Sequence, residues 1–166
     1  DKKIQKKVWK NDDSRLKAIW APHHTINDPV LPYSNFIEYA YKFKELAEEY
    51  KEKIIWCFKP HPILKSKLYN HPDWGREKTD EFYLFWEQSE FSQISEGEYF
   101  DLFAASDFMI HDSGSFLAEY LYLEKPVMYL LSGANNEKYY SDFGVEALKS
   151  CDVGYKFSDV IKFIDG

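Results

Sequence analysis

With 166 residues, 45% of them hydrophobic and 19% aromatic, the chain has room for one domain with a real core and is too apolar for extended disorder. A formal net charge of −7 argues against nucleic acid as the main partner, since such a binder needs a basic face, yet it leaves room for a local phosphate site. No run reaches the length of a membrane span, no signal peptide is visible, and Cys57 and Cys151 form no CxxC pair, which points to free thiols in a reducing, cytoplasmic setting.

The charged opening, residues 1–15, reads as a lead-in, and residues 16–166 as the folded unit. The chain begins at Asp1 without an initiator methionine, which suggests a piece of a longer protein. "LKAIWAP" is a short strand and "HHTINDPVLPYS" a loop with two prolines. From Asn35 a helix is signalled by Phe36, Ala40, Phe43, Ala47 and Tyr50 on one face, with Asn35 and Glu38 as a capping box. "KIIWCF" is a second strand, "PILKSKLYN" a short helix, and "NHPDWG" a break. "TDEFYLFWEQSE" reads as a helix with aromatics almost all round, mostly core, and "FSQIS" as a short strand. A helix "EYFDLFAAS", a strand "DFMIH", a helix from Gly114 through Tyr122 and a strand "PVMYLL" follow. One helix across "NEKYYSDFGVEALKS" and a last one across "SDVIKFID" complete the pattern.

Strands alternating with helices predict a three-layer, Rossmann-like α/β domain with a mostly parallel sheet. Such sheets bind ligands beyond the carboxyl ends of their strands, and the chemically interesting residues fall there. In "FKPHP", Pro60 and Pro62 hold His61 in extended backbone just past a strand, with Lys59 beside it. His61 then suits acid–base work or a hydrogen bond to phosphate; equally, the segment is an ordinary strand terminator with a solvated lysine. His23 and His24 follow the first strand and suit phosphate or metal. A zinc site is not indicated, because no cysteine lies near and no His-x-x-x-His occurs. Asp112, Ser113, Gly114 and Ser115 sit where a buried strand meets a helix start. Two hydroxyls, a glycine and free N–H groups there suit a phosphate, although Asp112 or Ser113 as a plain helix cap explains the same residues. Glu119, further along the helix, can reach a ribose hydroxyl. Gly-x-Ser-x-Gly, a Walker loop and GxGxxG are all absent, so serine hydrolysis, P-loop chemistry and hydride transfer are poor readings.

Taken together, "FKPHP" at 58–62, "SDFMIHDSGSFLAEYLYLEKPVMYL" at 106–130 and "WAPHHT" at 20–25 resemble the CDP-glycerol glycerophosphotransferases of teichoic-acid and capsular polymers, bacterial enzymes, over most of residues 16–131. The resemblance implies the nucleotide-binding C-terminal half of a two-domain GT-B enzyme. It implies CDP-glycerol or a related donor, a polymer or lipid-linked acceptor held by an N-terminal domain, and no cofactor or bound metal. His61 matches the family's motif histidine, catalytic or bound to donor phosphate; Ser113, Gly114 and Ser115 match the phosphate-side turn; Glu119 matches the acid facing the nucleotide sugar. His23, His24 and Lys59 are assigned to the donor phosphates, and Asp112 and His111 to supporting roles. His111 departs from the small or aromatic residue of the pattern, and "PHHT" lacks the arginine common in that loop. The family's second histidine motif, resembling Trp-His-Gly-Thr-Pro, belongs to the other half and is absent here. A cytoplasmic location, with attachment to the inner membrane face through other parts of the parent, would follow. The competing readings are a UDP-sugar glycosyltransferase or epimerase domain, which shares the D-S-G…E layout, and a nucleotide-binding module without catalysis.

Overall fold

Four strands are buried along almost their whole length, and this is why they read as uninterrupted apolar runs rather than as alternating ones. The computed structural model describes residues 7–131, 138 and 140–166. In chain order the elements are β1 (Leu16–Ala21), α1 (Phe36–Glu49), β2 (Ile54–Phe58), α2 (Leu64–Tyr69), α3 (Gly75–Gln88), β3 (Ser92–Ile94) and α4 (Phe100–Ala104). They continue with β4 (Phe108–His111), α5 (Gly114–Glu119), a 3-10 turn (Leu121–Leu123), β5 (Val127–Leu130), α6 (Asp142–Leu148), β6 (Asp152–Gly154) and α7 (Phe157–Asp165).

All six strands are parallel, in the order β3-β2-β1-β4-β5-β6. The order reverses between β1 and β4, so a switch-point crevice opens beyond Ala21 and His111, which are paired in register. One face carries Ala18, Trp20, Trp56, Phe58 and Ile110 against α1, α3 and α7. The other carries Ile19, Ile55, Cys57 and Met109 against α4, with α5 and α6 packed over Tyr129 and Leu131. Trp20 anchors the first layer, its ring 4.3 Å from Phe43 and 5.0 Å from Phe58 by centroid in stacked geometry. Phe82, Tyr83 and Trp86 of α3 are buried in this layer, so the aromatic helix is core.

Several expectations need correction. Asn35 makes no side-chain cap to α1; its amide is turned inward to Asp112 and to the Leu130 carbonyl, so the capping box does not form. The helix expected from Gly114 through Tyr122 stops at Glu119, tightens into the 3-10 turn, and ends at Glu124 in the left-handed region with φ 54°. β6, unexpected, forms by pairing with β5 at the sheet edge. α3 begins at Gly75, ahead of the expected Thr79. Of the helix expected over 136–150, residues 136, 137 and 139 lie outside the described residues, and α6 begins at Asp142 behind a Ser141 cap. Packing also extends ahead of Leu16: Trp9 is buried against Ile19 and Ile55, and the Lys10 N–H donates to Gln93 Oε1 at 2.6 Å.

Candidate functional site

Three histidines meet over the carboxyl ends of β1 and β2. The ring centroids of His24 and His61 are 4.2 Å apart, those of His23 and His24 4.3 Å, and those of His23 and His61 5.7 Å. The "FKPHP" segment builds this meeting. The Lys59 N–H continues the β1 ladder to the Trp20 carbonyl at 2.8 Å, and the His61 N–H reaches the Pro22 carbonyl at 3.4 Å. With φ fixed on both sides by proline, β2 therefore ends tied to the loop that carries the other two rings.

Each ring has its Nδ1 engaged. His61 Nδ1 accepts the Ile63 N–H at 3.3 Å, His23 Nδ1 lies 2.9 Å from Thr25 Oγ1, and His24 Nδ1 lies 2.9 Å from Lys67 Nζ. An N–H donated to Nδ1 leaves the ring proton of neutral His61 on Nε2. Burial pushes the three imidazoles below their ordinary 6.5, His23 to about 4, and the charge of Lys67 lowers all three further. At neutral pH they are uncharged hydrogen-bonding groups beside Lys67, and the Lys59 charge also acts on His61. Among the described residues, no group of three or more His, Cys, Asp or Glu is arranged to hold a metal ion.

Asp112 joins this cluster to the turn after β4. It is 2% exposed, and its carboxylate accepts the His23 N–H and the Asn35 N–H, each at 2.6 Å, and the Asn35 amide at 3.3 Å. Burial pulls its pKa up to about 7 against these donors, which favour the ionised form. The Asp112 carbonyl takes the Tyr129 hydroxyl at 3.2 Å, and that hydroxyl also meets Tyr140. The aspartate thus clasps the loop between β1 and α1 to the end of β4 and positions His23.

In the turn itself, Ser113 is buried and Gly114 and Ser115 are exposed, with the two serine hydroxyls 3.0 Å apart. The Ser113 N–H is already donated to His111 Nδ1 at 3.2 Å. α5 is only six residues long, so the turn offers hydroxyls and first-turn N–H groups without a strong helix dipole. A Cβ built on Gly114 would stand 3.7 Å from Tyr140, ordinary contact, so the fold itself does not demand glycine there. His111 lies wholly buried under the turn, held neutral with a pKa of about 3, and its Nε2 has no partner among the described residues.

Lys59 and Glu119 occupy a neighbouring place, not the histidine cluster. Lys59 is 6% exposed; its ammonium lies 3.4 Å from the Gly97 carbonyl and over the Tyr99 and Phe116 rings, at 5.1 and 5.8 Å. The Tyr99 hydroxyl donates to Glu119 Oε2 at 2.5 Å. The structure therefore brings together His23, His24 and His61, links them through Asp112 to Ser113, and sets Lys59 with Glu119 beside them. Sequence reasoning missed Lys67, the cation that touches His24. Its only signal was a lysine one turn into the helix after "FKPHP".

The profile described as CDP-Glycerol:Poly(glycerophosphate) glycerophosphotransferase matches residues 3–146. The chain belongs to that family. No curated protein sequence matches it. Among solved structures, the glycerophosphotransferase-family chain is similar to the UDP-GlcNAc 2-epimerase of Methanocaldococcus jannaschii, with a TM-score of 0.58 and 19% identity over 94% of this chain and 39% of that one. The Neisseria meningitidis UDP-GlcNAc 2-epimerase bound to UDP-GlcNAc gives a TM-score of 0.56 and 16% identity, over 93% of this chain and 36% of the other. At these identities the likeness establishes the Rossmann-like, GT-B-type fold. The family chain spans about two fifths of the length of these relatives. No helix among its described residues is long and apolar enough to cross a membrane.

Proposed function

We propose that this chain binds the nucleotide donor in an enzyme that transfers glycerol phosphate from CDP-glycerol, or a related nucleotide-activated donor, to a hydroxyl of a polymer or lipid-linked acceptor. The observation that supports the reading is the convergence of His23, His24, His61 and Lys67 beyond β1 and β2, clasped through Asp112 to the Ser113 turn at the switch point. Family membership supplies the reaction class. Teichoic-acid or capsule synthesis is the corresponding setting.

In this reaction the acceptor oxygen attacks the β-phosphorus of the donor. A new P–O bond forms, the bridging P–O bond breaks, and CMP departs with the bonding electron pair. His61, with its proton on Nε2, donates a hydrogen bond to a phosphate oxygen and stabilises the charge that builds there. In that tautomer it cannot also take the acceptor's proton. That proton goes to a base outside this cluster, which accords with a second histidine motif in the other half of such enzymes. Ser113 and Ser115 offer hydroxyls to the second phosphate, and Glu119 faces the ribose.

Calorimetry of the chain with CDP-glycerol, CDP and UDP tests the reading, with cytidine ligands expected to bind more tightly than UDP. Preference for UDP would turn the assignment toward a UDP-sugar enzyme. Absence of binding to every nucleotide would overturn it.

A further inference from the structure

The contact between Lys67 and His24 carries a consequence for chemistry. An ammonium has hydrogens and no lone pair, so at 2.9 Å it can only donate to His24 Nδ1. The proton of the neutral ring must then sit on Nε2, the same tautomer that the Ile63 N–H imposes on His61. Two Nε2–H donors result on rings whose centroids lie 4.2 Å apart. Lys67 spends one of its three hydrogens on His24. It forms no ion pair with a carboxylate among the described residues. The lysine also lines a cleft of about 330 Å³ with Ile26, Asn27, Asn70 and His71, beside the cluster. Asp28, an acid in its field, accepts the Val30 and Leu31 N–H groups, each at 2.9 Å.

We propose that Lys67 is a positioning residue that locks His24 in its Nε2–H tautomer, so that His24 and His61 present paired N–H donors to one phosphate group while the lysine supplies the positive charge. The proposal rests on the donor-binding reading above. Imidazoles alone would bind a diphosphate poorly at neutral pH, because burial and the adjacent cation keep them uncharged. Lys67 provides both the charge and the direction.

The test uses the 166-residue chain labelled with ¹⁵N-histidine, since long-range ¹H–¹⁵N correlations report which ring nitrogen carries the proton. In the wild type at pH 7.5, His24 and His61 are both expected as Nε2–H. In Lys67→Met, His24 becomes a mixture of tautomers while His61 stays Nε2–H, because its own Nδ1 is held by backbone. General unfolding would alter both rings, so His61 serves as the internal control. Inorganic pyrophosphate and CDP-glycerol, titrated at constant ionic strength, are expected to bind Lys67→Met about tenfold more weakly, and Lys67→Arg, which keeps donor and charge, within about threefold of wild type. An unchanged His24 tautomer in Lys67→Met overturns the proposal. So does a changed tautomer with unchanged affinity. A wild type that binds neither probe, with His24 still locked, overturns the donor-binding reading while supporting the lysine–histidine pairing.

Discussion

Replacing Asp112 with alanine probes the clasp that joins the two sides of the site. The carboxylate accepts two backbone N–H groups at 2.6 Å and the Asn35 amide at 3.3 Å. The Asn35 amide keeps its second acceptor, the Leu130 carbonyl at 3.1 Å, so its loss is slight. The Asn35 N–H is in a residue only 6% exposed and would be left without an acceptor, at a cost of about 2–3 kcal/mol. The His23 N–H is half-buried and can recruit water, at a cost of about 1 kcal/mol. Removing a carboxylate whose burial is itself unfavourable, as its raised pKa shows, returns part of this, leaving a net loss of about 2–3 kcal/mol. Urea denaturation followed by tryptophan fluorescence should record that loss as a lowered midpoint with an unchanged slope. Asp112→Asn keeps one acceptor oxygen but turns an NH₂ toward the other N–H, and should fall between. Hydrogen exchange should accelerate at the Asn35 and His23 amides in the alanine variant. A loss below about 1 kcal/mol, with both amides still protected, would refute the clasp.

In the enzyme that contains this chain, His61→Ala should lower turnover by about two to three powers of ten with little effect on folding, because the ring lies at the edge of the core. His61→Gln should recover much of the activity if donation to phosphate is the role; no recovery would point instead to proton transfer. With the Nδ1 atoms of His61 and His24 held by the Ile63 N–H and by Lys67, the rings donate to phosphate as neutral groups, so CDP-glycerol binding at pH 7.5 should take up almost no protons. Calorimetry in buffers of different ionisation enthalpy measures the uptake, and a value near one proton would contradict the neutral-donor role. Gly114→Ala should leave the urea midpoint unchanged, since its Cβ meets only Tyr140 at 3.7 Å, and should weaken CDP-glycerol binding; equal affinity would remove the turn from the site. His111, neutral in the fold with a pKa of about 3 and ordinary at 6.5 when unfolded, contributes stability above pH 6.5 that is lost as pH falls toward 3, because the unfolded chain takes the proton first. His111→Asn, which keeps an acceptor for the Ser113 N–H, should flatten the acid limb of the stability curve.

Much of this was legible because buried parallel strands announce themselves. β1, β2, β4 and β5 are short apolar runs bounded by proline, serine or glycine, and the residues just beyond them had to lie at one end of the sheet. What escaped was set by tertiary contact. β6 has one clearly apolar residue, Val153, and becomes a strand only by pairing with β5. Asn35 looked like a cap, but a buried carboxylate nearby outcompeted the helix end for its amide. Lys67 went unnoticed because nothing local tells that it comes back to His24 in the loop after β1. Lys59 was expected beside His61; strand alternation turns its ammonium toward Tyr99, on the side of Cys57 and Ile55, while its charge still helps to lower the His61 pKa.

The sheet's two outer strands are three residues each, β3 and β6. A short rim offers very few unpaired amides, so another chain has almost no template on which to lengthen the sheet. Association through backbone pairing is therefore suppressed chiefly by geometry, helped in β6 by the exposed charge of Asp152. Side-chain contact is the route such a rim leaves open, and the exposed apolar groups, Tyr122 at 84% and Phe143 at 66% along one cleft and Phe100 at 74%, stand apart from both edge strands.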